Sequence, residues 1–466
     1  MNKSIKIKSN RKDFTSGAIL PKLLMFTLPL ILSSTLQLLY NAADLVIAGR
    51  YAGEIALAAV GAVGAYNGLL VNLFLGLSVG AGVAASHYIG AGESEKVGRV
   101  THTAMVCALV CGVFVSIVCL IISRPVLELM DTPDTVIDLS VQYMHIIAIG
   151  MPASLVYNMS ASILRADGET LRPMIFLSAS GLSNLLLNLL FVIVFRMGVA
   201  GVATATVISQ YVSCICIIVY MRIRPGCCRF SFRELRVYKA ELKKIVAIGV
   251  PAGLQSSFFS ISNMTIQSSV NSFGDVAMSG NTAASNIEGF IYVAMNAFHH
   301  AALNFIGQNY GARNKKRVMQ SMICSILAVA TVGGLLCIVA YTFRESLLGI
   351  YLPDSPEGLK FGAYRMTVIC ATYYFCGIMD VTSGGLRGIG ASTSSMLTSL
   401  FGSCVFRVIW VFTVFELYRT QLSLYISYPI SWIMTGGVQL VLFIIILNRK
   451  FKQDPLLASG NAKARA

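Results

Sequence analysis

The chain has 466 residues, 56% of them hydrophobic and 12% charged, with a mean hydropathy of +0.72 and a formal net charge of +15. A soluble globular domain is about one quarter charged, so an ordinary soluble domain is excluded. Charge clusters between long apolar runs mark a polytopic membrane protein, and the basic excess needs no nucleic acid to explain it.

The N-terminal stretch MNKSIKIKSNRKDF is a polar, basic tail that runs directly into a first span, with no cleavable signal peptide. About twelve apolar segments follow, at 19–47, 55–88, 100–122, 136–163, 173–195, 199–221, 244–272, 276–306, 318–341, 361–384, 395–415 and 422–447. Backbone crossing hydrocarbon must satisfy its hydrogen bonds internally, and these runs are too long for barrel strands, so each is expected to be a helix. The expected fold is therefore all-α and integral to the membrane. Its expected parts are a cytoplasmic tail (1–18), a first lobe of six helices (19–221), a basic cytoplasmic linker (222–243), a second six-helix lobe (244–447) and a cytoplasmic C-terminal tail (448–466).

Lys and Arg set the orientation. Numbering the connections alternately, one side of the membrane carries 28 of them and the other six, while Arg365 and Arg407 fall within spans and complete the 36. The heavier side is cytoplasmic by the positive-inside rule, which puts both termini inside, in a prokaryotic cytoplasmic membrane.

The chain is also an internal duplication. GEIA at Gly53 returns as GDVA at Gly274, and Gly90-Ala91 as Gly311-Ala312, both 221 residues on. Leu164-Arg165 and Gly168 return as Leu386-Arg387 and Gly390, 222 residues on. Each repeat holds six spans, an even number, so the halves cross in the same sense. Their pseudo-twofold axis then lies along the membrane normal, and a binding site is expected between them.

Polar residues inside spans are the functional candidates, because charge held there is costly. Asp44 is the lone acid of the first apolar run. Ile19 to Gly49 would span ~46 Å as a helix, long enough to tilt and keep Asp44 inside the bundle. Asn184 and Asn188 are four apart and share one helix face. In the second half stand Glu288, Asp380 and Arg407; Arg365, near a span end, is expected to snorkel outward. The repeat offset sets Glu288 opposite Asn67 and Asp380 opposite Asn158, whereas Asp44 maps near Thr265. The alternative for Glu288, Asp380 and Arg407 is a structural ion-pair network in which Arg407 neutralises one acid. His299-His300 is no zinc motif and is expected to pack or hydrogen-bond. Most of the 12 cysteines lie in spans and act as small hydrophobes, and Cys227-Cys228, in the basic loop, read as reduced thiols. No Walker motif is present, so ATP does not drive the chain directly.

LPLILSSTLQLLYNAADLVIAGRYAGEIALAAVG, LRADGETLRPM, NLLLNLLFV with GVAGVATATVISQ, and GQNYGARN, in this order within a doubled six-span chain, resemble the multidrug and toxic compound extrusion (MATE) transporters over essentially the whole length. The resemblance implies two V-shaped lobes around a central cavity and ion-driven export of amphiphilic, mostly cationic compounds. It also implies a cation site at Asp44 with Asn184 and Thr206. Where the family commonly has a second acid this chain has Asn188, which can offer a carbonyl to Na⁺ but cannot take a proton. One negative charge fewer weakens a hard-cation site, which tilts the balance slightly to H⁺ while leaving H⁺ and Na⁺ both open. The expected ion-coupling set is Asp44, Asn184, Asn188 and Thr206, with Na⁺ held, if at all, by Asp44, Asn184 and Thr206. The expected substrate-binding set is Gln37, Tyr40, Asn41, Glu288 and Asp380. No cofactor is expected beyond the coupling ion. The partners are small amphiphiles and the bilayer, the chain acting as a monomer. The expected function is secondary antiport. The alternative is a lipid-linked oligosaccharide flippase, and an enzyme is disfavoured for want of clustered acids or a His–Asp pair.

Overall fold

A computed structural model describes residues 13–130, 132–353 and 355–453, apart from the side chains of 54, 57, 64–67, 69 and 70. Residues 1–12 of the expected N-terminal tail and 454–466 of the C-terminal tail lie outside the described residues.

The first half contains α1 (Ile19–Ile47), α2 (Glu54–Gly90), α3 (Ser94–Leu129), α4 (Asp134–Ala166), α5 (Leu171–Asn188) and α6 (Gly198–Ile223). The second contains α7 (Lys239–Asn271), α8 (Asp275–Gly311), α9 (Lys315–Thr342), the short α10 (Arg344–Tyr351), then α11 (Pro356–Cys370) and α12 (Tyr373–Gly388) as one broken crossing. It ends with α13 (Ser392–Ser399) running on through π-helical turns and α14 (Phe406–Trp410) to Phe415, then α15 (Gln421–Tyr425) and α16 (Ser427–Gln453). No strand occurs among the described residues. Ten of the helices or helical runs are long and apolar enough to cross a membrane by composition. The α8 and α11–α12 crossings are not among them: α11 and α12 are 15 and 16 residues long, and α8 is rich in polar residues such as Asn281, Glu288, His299 and Asn304. The chain is an integral membrane protein of twelve crossings in two lobes.

The sequence repeat is written into the backbone. Gly53 and Gly274 enter α2 and α8 at φ 97° and 91°, and Gly168 and Gly390 turn the chain after α4 and α12 at 83° and 75°. These left-handed positions need glycine, and each falls at the same point of its repeat. Pro29 in α1 and Pro251 in α7 correspond in the same way.

The halves meet along α2, which packs on both α7 and α8. Gly76 and Gly80 of α2 face Gly253 and Gly249 of α7 so closely that a Cβ would strike backbone. Further along, Gly90 lies against Gln308, and Gly311 against His87. Residues 87 and 308, like 90 and 311, are repeat mates, so one motif packs on its own copy across the pseudo-twofold. Small residues at such crossings allow the close approach from which helix packing in lipid draws its stability. At α1, Thr27 and Ile31 occupy the places of Gly249 and Gly253, and α1 meets α8 through side chains such as Phe26 against Phe305.

Two connections are more ordered than their polarity suggests. Phe14 is 1% exposed and stacks on Phe305 with centroids 3.9 Å apart, while Arg317 donates to the carbonyls of Phe14, Ser16 and Gly17. The first residues before α1 are thus docked on the second half. The loop between α6 and α7 is docked on the first: Phe230 is buried, Ser231 N–H donates to His102 Nε2 at 3.2 Å, and Tyr238 N–H donates to Thr103 Oγ1 at 3.1 Å.

Candidate functional site: one polar cavity in each lobe

The polar residues of the spans gather in two cavities, each lined by one half alone. The seam where α2 meets α7 and α8 is packed to backbone contact at Gly76, Gly80, Gly90 and Gly311.

The N-lobe cavity, about 220 Å³, is lined by α1, α4, α5 and α6. The α1 face presents Gln37, Tyr40, Asn41 and Asp44, and α5 and α6 add Asn184 and Thr206. Asn188, fully buried one turn below Asn184, donates from Nδ2 to Asp44 Oδ1 at 2.6 Å. The Asn184 amide nitrogen donates to Asp44 Oδ1 at 2.7 Å and Oδ2 at 3.3 Å, and Thr206 lies against the same amide. Helical backbone positions these groups. Asp44 lies one turn before the π-helical turn Ala48–Ala52, and Asn188 immediately precedes the π-helical turn Leu189–Val194. Such irregular turns rotate side chains off the regular helix face and recur at functional sites. Tyr40 lies flat over Gly181, where a Cβ would collide with its ring.

The C-lobe cavity, about 410 Å³, is lined by α7, α8, α11, α12, α14 and α16. It contains Glu288 and Asp380, so the five residues expected to bind substrate are divided between the cavities: Gln37, Tyr40 and Asn41 in one, Glu288 and Asp380 in the other. Asn158, the repeat mate of Asp380, lines the N-lobe cavity; the side chain of Asn67, the mate of Glu288, is outside those described.

Arg365 does not snorkel. It is 7% exposed and grips Glu288 with both arms, Nε to Oε1 at 2.9 Å and Nη2 to Oε2 at 2.6 Å, while Nη1 donates to Asn281 Oδ1 at 2.5 Å. Asn281 also accepts from Tyr425 at 3.1 Å and donates to Gln267 at 3.0 Å. The ion pair of the second half is therefore Glu288–Arg365, and Arg407 has no share in it. Instead Arg407 donates to Ser431 Oγ at 2.9 Å and lies over the rings of Tyr428 and Trp432. His299 donates from Nδ1 to the backbone oxygen of Asp380 at 2.7 Å, and so packs as a structural residue.

Sequence reasoning missed the aromatic shelf Tyr428–Trp432 and a buried amide network. In the latter, Gln255 and Gln439 both donate to Ser399, at 2.8 and 2.9 Å, and Thr382 donates to Gln439 at 2.9 Å. A usable signal was present for Arg365, since an arginine inside a span ordinarily has a carboxylate partner.

The MatE family model matches residues 29–190 and again 251–413. The chain belongs to this family. The second match begins 222 residues after the first, the offset of the repeat. Among relatives, the chain is 28% identical over 395 residues to the probable multidrug resistance protein YpnP of Bacillus subtilis, covering 85% of this chain and 88% of that one. An outward-facing multidrug resistance MATE transporter structure superposes with a TM-score of 0.89 at 21% identity, covering 96% of this chain and 99% of that one. A MOP superfamily transporter from Pyrococcus furiosus, described by the reversed polarity of its binding pocket, superposes with a TM-score of 0.88 at 21% identity, covering 94% and 98%.

Glu288 and Arg365 are both nearly inaccessible, so removing one leaves the other buried and uncompensated. Glu288→Gln should cost about 3–5 kcal/mol of stability, and the pair Glu288→Gln with Arg365→Met should recover much of it. Thermal unfolding of the purified proteins measures both. A single variant that unfolds at the wild-type temperature would contradict a buried ion pair.

Proposed function

We propose that this MATE protein is a secondary antiporter that exports amphiphilic small molecules, including the cations the family resemblance implies, in exchange for an ion carried by Asp44. The observation that carries the reading is the Asp44 constellation: a carboxylate inside a span, met by Asn188 and Asn184 of another helix, with Thr206 of a third beside Asn184, at the wall of one cavity. The multidrug resistance naming of the relative supports export as the direction.

The geometry favours H⁺ over Na⁺. Asn188 and Asn184 both turn an amide nitrogen to the Asp44 carboxylate. A metal ion would need several oxygens converging on it, and Asn188 faces Asp44 with a donor instead. Coupling requires that ion and substrate stabilise different lobe conformations.

Asp44→Asn removes the proton carrier but keeps the volume. It should insert and fold, still bind an amphiphilic dye, and lose dye export driven by a pH gradient in proteoliposomes. Export at the wild-type rate under either a pH or a Na⁺ gradient would end this assignment.

The 28-to-6 division of Lys and Arg further supports cytoplasmic termini and a cytoplasmic α6–α7 loop, in the cytoplasmic membrane of a prokaryotic cell. Cys227, half-buried in that loop, is the probe. A membrane-impermeant maleimide should label it in inside-out vesicles and not in intact cells, with Cys227→Ser as the control. Rapid labelling in intact cells would reverse the orientation.

A further inference from the structure

The walls of the C-lobe cavity leave one positive charge unmatched. Glu288 is fully engaged by Arg365, whose guanidinium takes both carboxylate oxygens. Arg407 has no such counter-ion: among the described residues no carboxylate is in ion-pair contact with it, although it is only 3% exposed. Its Nε is used by Ser431, and its Nη2, buried at the cavity wall, has no hydrogen-bond partner. A buried guanidinium left in this condition is unfavourable unless something else supplies an acceptor.

The surroundings indicate what that acceptor is attached to. The Arg407 guanidinium lies 4.4 Å from the ring centroid of Tyr428 and 5.8 Å from that of Trp432. These two rings, one turn apart on α16 with centroids 5.6 Å from each other, make an aromatic shelf at the cavity wall. The rings are inclined at 55° to each other, and an aromatic ligand packed in the corner they make would bring an attached carboxylate toward Arg407, whose guanidinium fork matches a carboxylate in shape as well as charge. Elsewhere on the wall, Asp380 keeps Oδ2 without a partner, an acceptor for a donor or ammonium on the rest of the molecule. The cavity, about 410 Å³, is of the size that takes a drug-sized ligand.

We propose that the C-lobe cavity is a substrate site that selects aromatic amphiphiles carrying a carboxylate, the acid held by Arg407 and the ring by Tyr428 and Trp432. The proposal deepens the export reading and rests on it for its role in the cell, but the binding preference it names is testable by itself. The N-lobe cavity also carries an arginine, Arg165, with Tyr40 and Tyr157 on its walls, but among the described residues no guanidinium there lies on an aromatic ring as Arg407 does.

The test uses the purified full-length protein in lipid nanodiscs and two fluorescent probes, a rhodamine with a free carboxylate and its methyl ester, which differ only in whether the acid is available. Anisotropy titrations should show the free acid binding at least about tenfold more tightly than the ester, as expected of a charge-assisted, two-armed contact. Arg407→Gln should bind the two dyes alike by weakening the acid only, and Arg407→Lys should retain part of the preference. Equal affinity of wild type for acid and ester would overturn the proposal. So would a preference that survives Arg407→Gln, or loss of both dyes alike in that variant, which would leave Arg407 a structural role. Should the preference hold while neither dye moves across proteoliposomes under an ion gradient, the site stands and the export reading alone fails.

Discussion

Hydrocarbon offers no partner to a polar group, so every carboxylate, amide and guanidinium placed inside this bundle must find its partner within the protein. That constraint organises the whole molecule. Large apolar side chains such as Leu28, Phe114, Leu186, Ile338 and Phe412 are exposed on the outside, where lipid takes the place of water. Inside, polar residues are drawn together into closed sets: Asp44 with Asn188 and Asn184, Glu288 with Arg365 and Asn281, Gln255 with Ser399 and Gln439. Where a set is left incomplete, as at Arg407 and Asp380, it opens into a cavity.

Duplication supplies the frame and divergence the chemistry. Paired glycine turns and paired prolines show two copies of one six-helix design. The packing between copies is nevertheless unequal: glycines bring α7 to backbone contact with α2, whereas α1 packs on α8 through larger side chains such as Phe26 against Phe305. The polar interiors have parted further. The first lobe sets Asp44 among amides and a hydroxyl, with Arg165 on the same cavity wall. The second has a locked ion pair, an unmatched guanidinium and an aromatic shelf, suited to a larger ligand.

The spans, the turns and the doubled architecture were legible in the sequence because each is local or periodic. Apolar runs define helices, and a glycine that must adopt positive φ, such as Gly53, reappears at Gly274. The meeting of Asp44 with Asn184 and Asn188 was legible through family resemblance and a four-residue spacing. The partner of Glu288 was not, because Arg365 lies 77 residues away on a helix whose rotation the pattern does not specify. The same blindness hid Tyr428 and Trp432: aromatic residues abound in apolar helices, and only the fold shows which pair stands under an arginine. The division of the polar residues into two cavities was equally invisible, since it follows from how α2 closes on α7 and α8.

The central claim is that an ion in the first lobe and a substrate in the second are linked through the conformation of the two lobes. It is tested most directly by measuring the affinity of the purified protein for a fluorescent amphiphile as pH is lowered, with and without Na⁺. Sites coupled through alternating states should change each other's affinity by roughly 5–150-fold. The account predicts a change of that size as pH falls, absent in Asp44→Asn and little affected by Na⁺. An affinity that does not vary with pH or Na⁺, or that varies equally in Asp44→Asn, would contradict it.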